Sequence, residues 1–320
     1  MRSKLAAVMV IVAAVASHVC ARIPASVPWR KILEQPAAWY ASVEAAAIAD
    51  NVLKFQRDSG GWPKDVDMTA PPSAPAPATS DSTIDNGATT TQIRFLSQVG
   101  TDRHRAAALR GIDYLIAAQY PNGGWPQFFP LRKDYSRHIT FNDDAMINVA
   151  SLLEEVAAGR NPFAFVDGNR RARAADAVAR ATEVILKTQV LVDGALTAWC
   201  AQHDAVTLEP RPARTYEHVS LSGAETVGIV RFLMRQPRTP TIERAVDAAV
   251  VWLRSVRLPD GRWARFYQIG TNRPIFSGRD GVIKYQLSEI EQERIDGYAW
   301  FGTWAKALVE QEYARWKKQL

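Results

Sequence analysis

The feature that most constrains the fold of this chain is a Gly-Trp turn that recurs four times, each time after an apolar stretch with helical spacing. The stretches are LKFQRDSGGWP, IAAQYPNGGWP, LKTQVLVDGALTAW and LRSVRLPDGRW, and their tryptophans are 63, 74 and 64 residues apart (Trp62, Trp125, Trp199 and Trp263). A repeat of this length holds two helices and their connections. The spacing therefore predicts an all-α fold, an α/α toroid in which helical hairpins form a ring and long loops form a cleft.

Apolar periodicity predicts where the individual helices lie. It favours helices that precede the Gly-Trp turns over residues 36–56, 105–119, 169–189 and 243–256, and a last helix over residues 294–318. Strand signals are weak, apart from a possible hairpin in RWARFYQIGTNRPIFS, residues 262–277. We expect the tryptophans to belong to the scaffold, where the Gln-to-Gly-Trp segments connect adjacent hairpins.

A second repeat occurs where the alternate helices are predicted to begin. IDNGATTTQIRFL, FNDDAMINVASLL, LSGAETVGIVRFL and IDGYAWFGTWAKAL align with alanine at equivalent positions (Ala88, Ala145, Ala224 and Ala299). In a ring of hairpins these starts would share one end, and they carry acidic residues (Asp85, Asp143, Asp144 and Asp296). N-capping explains any single one of these residues well. Several carboxylates together instead indicate a cation site, and an oxygen-only set favours calcium over zinc.

The N-terminus has the pattern of a secretory signal sequence. Arg2 and Lys4 precede the apolar run LAAVMVIVAAVA, which is followed by small residues. We expect a signal peptide over residues 1–21, a single catalytic domain over residues 22–320, and a secreted or periplasmic protein without a membrane span. Cys20 matches a lipoprotein site poorly, because Val19 stands where a small residue is required. With Cys200 it makes only two cysteines, too few for a disulfide framework.

A basic loop between Arg262 and Lys284 contrasts with the acidic helix starts. Its five cations alternate with aromatic residues, and Gly278 and Gly281 flank Arg279-Asp280. Guanidinium groups bind carboxylates in a fork geometry, so this loop fits an acidic polymer. The alternative is a solvated loop whose arginines pair with acids of the same chain. Nucleic-acid binding is disfavoured, because the net charge is only +6 and no recognition motif is present.

Several longer motifs resemble one enzyme family. They are QRDSGGWPKDVDM, STIDNGATTTQIRFL, NGGWPQFFP, HITFNDDAM, TAWCAQHDAVTLEP, VSLSGAETVGIVRFL and RFYQIGTNRPIFSGRDG. Together they are similar to the family 10 polysaccharide lyases, which are pectate lyases, from about Val27 to the C-terminus. The resemblance implies calcium-dependent β-elimination of polygalacturonate, with 4,5-unsaturated oligogalacturonates as products. It also implies the α/α toroid. Separately, we expect a monomer, because the sequence has no coiled-coil pattern and no obvious apolar stripe on a helix exterior.

The resemblance also assigns candidate site residues. It implies that Arg279 is the catalytic base, that Asp143 or Asp144, together with Asp85, binds calcium, and that several residues contact the substrate (Arg265, Asp85, Asn86, Lys187 and Arg214). An arginine base requires a lowered pKa. We expect crowding by Ca2+, Arg265 and Lys284 to lower it, with an alkaline pH optimum as the result.

Other readings of the same residues stay open at this stage. His138 and His218 are alternative bases by chemistry, although histidines beside helix starts are more often structural. An inverting glycoside hydrolase would use a pair of the aspartates as acid and base. A binding module would hold pectate without cleaving it. A prenyl-chain cyclase would require a DDxxD motif, and NDDAMIN lacks the third aspartate.

Overall fold

Seven helices of 10 to 20 residues form the framework in the computed structural model, which describes residues 27–73 and 81–319. They are α1 (Val43–Phe55), α2 (Thr90–Val99), α3 (Asp102–Ala117), α4 (Ala145–Ala158), α5 (Gly168–Lys187), α6 (Glu225–Arg235) and α7 (Pro240–Ser255). The predicted signal peptide and Cys20 lie outside the described residues. The predicted helices over 105–119, 169–189 and 243–256 correspond to α3, α5 and α7. The one over 36–56 is divided into a 3₁₀ segment, Ala37–Ala41, and α1.

These helices are arranged as successive hairpins in two layers. Within the hairpins α2 packs on α3, α4 on α5 and α6 on α7. Between hairpins, the odd-numbered helices contact one another in the order α1, α3, α5, α7, and the even-numbered helices in the order α2, α4, α6. The apolar core lies between the two layers, so the helical prediction and the hairpin repeat are confirmed.

The repeated tryptophans connect the two layers. Each is fully buried, and its indole N–H donates to a carbonyl in the last turn of the preceding odd-numbered helix. The acceptors are Val52 for Trp62 (2.9 Å), Leu115 for Trp125, Ile185 for Trp199 and Leu253 for Trp263 (2.7 Å each). The prediction that the tryptophans are scaffold is therefore confirmed.

The tryptophan backbones also support the segments that lead into the even-numbered helices. The carbonyls of Trp62, Trp125 and Trp199 accept hydrogen bonds from the backbone N–H groups of Thr83, Thr140 and Ser222 (3.1, 3.1 and 2.8 Å). These residues lie two or three positions before Asp85, Asp143 and Glu225. The repeat thus determines where the starts of α2, α4 and α6 lie.

Three glutamines tie each odd-numbered helix to the next. Gln56, Gln119 and Gln189 each donate through Nε2 to two carbonyls, one in their own Gly-Trp segment and one in the following odd-numbered helix. The second acceptors are Ala107, Ala177 and Ala245, each at 2.9 Å. Gly123 lies against α5: a Cβ at this residue would lie 2.2 Å from the carbonyl oxygen of Arg180, and the φ of Gly123 is +100°. Only glycine fits such a close approach at this φ.

The described loops contain ten two-residue strands. They are β1 (Ile139–Thr140), β2 (Leu191–Val192), β3 (Ala195–Leu196), β4 (Gln202–His203), β5 (Leu221–Ser222), β6 (Trp263–Ala264), β7 (Phe266–Tyr267), β8 (Phe276–Ser277), β9 (Ile283–Lys284) and β10 (Phe301–Gly302). All pairs are antiparallel: β1 with β4, β2 with β3, β5 with β7, β6 with β10, and β8 with β9. A bridge between Tyr267 and Pro274 confirms the hairpin expected within residues 262–277.

The predicted last helix, over residues 294–318, is wrong in its first half. A short helix, α8 (Gln292–Gly297), comes first, and β10 then pairs with the strand that contains Trp263. The chain becomes helical again in a π-helical turn, Leu308–Glu312, that continues into α9 (Tyr313–Lys317). The fourth tryptophan thus pairs with a strand, whereas the other three bind the segment before an even-numbered helix. Ala299 and Asp296 are consequently not equivalent to the residues at the other starts.

None of the described helices combines the length and the apolar character that crossing a bilayer requires.

The glutamine ties predict a measurable stability effect. We expect Gln119→Ala to lower the free energy of unfolding by about 1–3 kcal/mol, because two carbonyls lose their donor at the contact between α3 and α5. Gln35→Ala is the matched control, since the Gln35 amide donates only to the exposed carbonyl of Lys31. It should change stability by less than about 0.5 kcal/mol. Equal losses for both variants in urea unfolding would contradict the role of the tie.

Candidate functional site

Two acidic turns meet at one end of the even-numbered helices. The 3₁₀ turns Asp85–Gly87 and Asn142–Asp144 contact each other, and the second turn also contacts α6. Asn86, Asp143 and Asp144 have left-handed backbone conformations, with φ of 51°, 52° and 57°. Such conformations are unfavourable for residues other than glycine and are concentrated at functional sites.

The acidic residues of these turns do not cap the helices. Neither α2 nor α4 receives a hydrogen bond from an N-cap side chain, whereas Ser42, Asp167 and Thr239 cap α1, α5 and α7. The expectation that any one of these aspartates is best explained as a cap is wrong for the turns before α2 and α4. The turns enter their helices through left-handed residues, and the carboxylates of Asp85 and Asp143 pair with basic side chains.

Asp85 is paired with a lysine that directly follows the first Gly-Trp turn. Lys64 Nζ lies 2.5 Å from Asp85 Oδ2, and the carboxylate is 8% exposed. Burial lowers the pKa of Lys64, but the hydrogen bond and charge of Asp85 outweigh this and raise it. The neighbouring Asn86 donates to Asp65 Oδ1 at 3.0 Å. Lys64 therefore compensates the charge of Asp85, and Asn86 is exposed at the edge of the site.

Arg265 joins the second acidic turn to the start of α6. Its Nη2 lies 2.7 Å from Asp143 Oδ1 and 2.5 Å from Glu225 Oε1, and the residue is only 8% exposed. Burial opposes its charge, but Glu225 and Asp143, with Tyr298, raise the pKa of Arg265. This arginine is a fixed positive charge between two carboxylates.

Asp144 is the least compensated carboxyl group of the site. Its Oδ1 is buried without a hydrogen-bond partner. Burial, followed by the charges of Glu225 and Asp143, raises the pKa of Asp144 to about 7. The side chain packs against α6 at Gly228, where a Cβ would lie 2.1 Å from Asp144 Oδ1. Glycine at this position gives the carboxyl group its space.

A second ion pair flanks the acidic turns. Arg214 binds the buried Glu217 through Nε and Nη2, at 2.9 and 2.5 Å, and this pairing raises the pKa of Arg214. The hydroxyl of Tyr298 donates to Glu217 Oε1 at 2.9 Å, and the ring of Tyr298 lies 5.0 Å from the Arg265 guanidinium carbon. Tyr298 thereby connects the pair of Arg214 with that of Arg265.

Tyr135 completes the connection to the first turn. Its phenol interacts electrostatically with Arg214, Glu217, Asp85 and Lys64, and burial raises its pKa. The structure thus brings together five of the predicted site residues, namely Asp85, Asp143, Asp144, Arg265 and Arg214.

Arg279 lies in a different environment from the one expected. Its side chain is 63% exposed, and its Nε donates to Glu293 Oε1 at 2.5 Å. Glu293 raises the pKa of Arg279, and Lys284 pairs with Asp280 instead, at 3.0 Å. The expected crowding of Arg279 by Arg265 and Lys284 is therefore wrong for this arrangement. The loop itself lies beside the segment of Arg214, since a Cβ at Gly281 would lie 3.6 Å from the carbonyl oxygen of Thr215.

The remaining candidates lie further from these ion pairs. Lys187 is exposed in the last turn of α5, 3.6 Å from Glu183. Glu209 is exposed in a turn, where it accepts a hydrogen bond from Thr207. His138 and His218 are half-buried, and burial lowers the pKa of both.

A family model for pectic acid lyases matches residues 56–262 and 259–309 of the chain. The chain belongs to the pectic acid lyase family. Two solved structures support this membership, both of the family 10 polysaccharide lyase from Cellvibrio cellulosa and both 37% identical to this lyase. An aspartate-to-alanine mutant in complex with trigalacturonic acid has a TM-score of 0.80 and covers 87% of this chain and 95% of its own. The enzyme without that mutation has a TM-score of 0.81 and covers 89% and 95%. Among curated proteins no relative matches.

Sequence reasoning missed several residues of this polysaccharide lyase. Lys64 directly follows GGWP, and Glu225 directly follows the aligned Ala224, so both could have been found from the repeats. Tyr298 and Glu217 carry no local signal, because 81 residues separate these two hydrogen-bonded side chains.

The raised pKa of Asp144 predicts a pH-dependent stability. Between about pH 4 and pH 7, the Asp144 carboxyl group is protonated in the folded state but ionised in the unfolded state, where its pKa is near 3.8. Stability due to this group is thus present below about pH 4 and is lost as pH rises towards 7. We expect Asp144→Asn, in chelator-treated protein, to raise the unfolding temperature at pH 8 more than at pH 5. Asp296→Asn, at an exposed position, is the control and should have the same small effect at both pH values. If Asp144→Asn changed the unfolding temperature equally at pH 5 and pH 8, the raised pKa of Asp144 would be contradicted.

Proposed function

We propose that this lyase cleaves polygalacturonate by calcium-dependent β-elimination and releases 4,5-unsaturated oligogalacturonates. The observation that carries the proposal is the junction of the two acidic turns with Arg265 and Arg214, in a chain of the pectic acid lyase family. The trigalacturonic acid complex of the Cellvibrio cellulosa relative supports a polygalacturonate substrate. The two-layered succession of hairpins supports closure into an α/α toroid with this junction in the cleft.

The acidic residues fit a calcium ion that a substrate helps to bind. Their donors are oxygen atoms only, which Ca2+ prefers, and Asp144 Oδ1 has no hydrogen-bond partner. Within residues 27–73 and 81–319, however, no three acidic, histidine or cysteine side chains are grouped closely enough to hold a metal alone. We therefore propose that Asp85 and Asp143 or Asp144 hold calcium together with substrate carboxylates. When bound, the ion supplies positive charge beside the carboxylate of the reacting sugar.

The side chains of the site suit the difficult step of the reaction. In β-elimination a base takes the C5 proton, which lies α to the C6 carboxylate, and the C4–O4 bond then breaks without addition of water. The C4–C5 double bond forms, and the leaving O4 takes up a proton. Negative charge develops next to a group that is already anionic. Arg265, held between Asp143 and Glu225, offers a preorganised cation for that charge. We propose that Arg214 and Asn86 bind flanking sugars and that Lys187 is a more distant contact for the polymer.

The identity of the base is the least constrained part of the proposal. We retain Arg279, because its loop lies beside Thr215 and its guanidinium reaches solvent. Its present pairing with Glu293 favours the charged form, so Arg279 must leave Glu293 before it can accept a proton. Arg214 is the alternative arginine inside the junction, and the neutral His218 near Asp280 is the alternative histidine.

Secretion and a monomeric state are also proposed. Both rest on the sequence: the N-terminal signal pattern supports export, with lipid attachment at Cys20 disfavoured, and the absence of coiled-coil patterning supports a monomer.

The reaction type can be tested by ultraviolet absorbance during incubation with polygalacturonate. Elimination creates a conjugated double bond, so absorbance should rise with calcium and stop rising after a chelator is added. New reducing ends without absorbance would indicate a hydrolase, and neither signal would indicate a binding protein. Only the first result agrees with the proposal.

The base can be tested by pH–rate profiles of substituted enzymes. An arginine base predicts activity that rises into the alkaline range, and Arg279→Lys should lower kcat about 10²- to 10⁴-fold. Arg214→Lys and His218→Gln, measured in parallel, test the alternatives. A wild-type pH optimum of about 5, or a larger loss of kcat in Arg214→Lys or His218→Gln, would contradict Arg279 as the base.

A further inference from the structure

The loop around Arg279 is held by two glutamates at the start of α8, namely Glu291, which precedes the helix, and Glu293, which lies in its first turn. Both carboxylate oxygens of Glu291 accept from the backbone N–H of Arg279, at 3.2 Å. The second glutamate, Glu293, accepts from the side chain of the same arginine. One residue thus fixes the backbone of the loop, and the other holds its guanidinium group.

The contact with Glu291 is built into the loop. A Cβ at Gly278 would lie 2.0 Å from Glu291 Oε2, so only glycine at this position leaves space for the carboxylate. The backbone of Arg279 is therefore anchored independently of its side chain, and the guanidinium can change partner without movement of the loop.

The contact with Glu293 is of a replaceable kind. Both side chains are more than half exposed, at 63% for Arg279 and 54% for Glu293. Exposed ion pairs contribute little to stability, since water screens them and ordering two long side chains is unfavourable. A carboxylate of a galacturonate unit presents the same two oxygen atoms to a guanidinium as a glutamate does.

We propose that Glu293 is an internal competitor of the substrate, which occupies Arg279 until a carboxylate of the polymer takes its place. This inference rests on the proposed pectate lyase function. It makes Glu293 a residue that sets substrate affinity without contacting the reacting atoms. The other cations of the site have the same kind of partner, but Glu217 and Glu225 are buried, whereas Glu293 is free to leave.

The test compares the KM of Glu293→Gln with that of Asp296→Asn, a control that removes one negative charge from the same short helix. Asp296 is exposed and bonded to Gln292, so Asp296→Asn removes one negative charge at a similar place without touching Arg279. We expect Glu293→Gln to lower KM for polygalacturonate about two- to fivefold. Asp296→Asn should change KM by less than half of that factor. An unchanged or higher KM for Glu293→Gln, or an equal fall in both variants, would overturn the inference.

A double substitution separates this inference from the proposed function. In an Arg279→Ala background, Glu293→Gln should have no effect beyond that of Asp296→Asn; a full effect there would overturn the competition. Calorimetric titration with trigalacturonate measures affinity even when turnover is lost or absent. If the wild type shows no elimination, the proposed function fails, while the affinities of Glu293→Gln and of the double variant still decide whether Glu293 competes for Arg279.

Discussion

The structure depends on one repeated hydrogen-bonding arrangement around a buried tryptophan. The indole N–H binds the end of an odd-numbered helix, and in three of the four repeats the tryptophan carbonyl binds the strand-like segment before an even-numbered helix. A buried indole N–H without a partner is costly, so each tryptophan has one favourable position. The same groups that join the two layers therefore fix the distance between the core and the acidic turns.

This dependence explains how the site tolerates unfavourable backbone conformations. Two consecutive left-handed aspartates, Asp143 and Asp144, are held from the core side by the Thr140–Trp125 hydrogen bond and from α6 by the contact with Gly228. Conformations of this kind persist only where the surrounding structure over-determines them. The core thus contributes to the chemistry of the site by holding carboxyl groups that would otherwise separate.

The sequence predicted most of the helices, the Gly-Trp scaffold and the convergence of four helix starts, of which three meet, because these features follow from periodicity and from repeats. Five predicted residues, Asp85, Asp143, Asp144, Arg265 and Arg214, do meet. What it could not predict depends on long-range pairing. The last helix over residues 294–318 is interrupted because Phe301 pairs with Ala264, an interaction that helical periodicity does not contain. The partner of Arg279 is Glu293 of α8, and this pairing depends on the conformation of the loop that contains Arg279.

Four basic side chains around the junction are paired with acids of the same chain. Lys64 pairs with Asp85, Arg214 with Glu217, Arg265 with Glu225 and Asp143, and Arg279 with Glu293. If polygalacturonate binds here as proposed, it would meet four cations that are already compensated by acids. Its binding would then exchange one carboxylate partner for another and release few bound salt ions. Affinity for such a polymer should consequently depend on ionic strength much less than a count of the arginines would indicate.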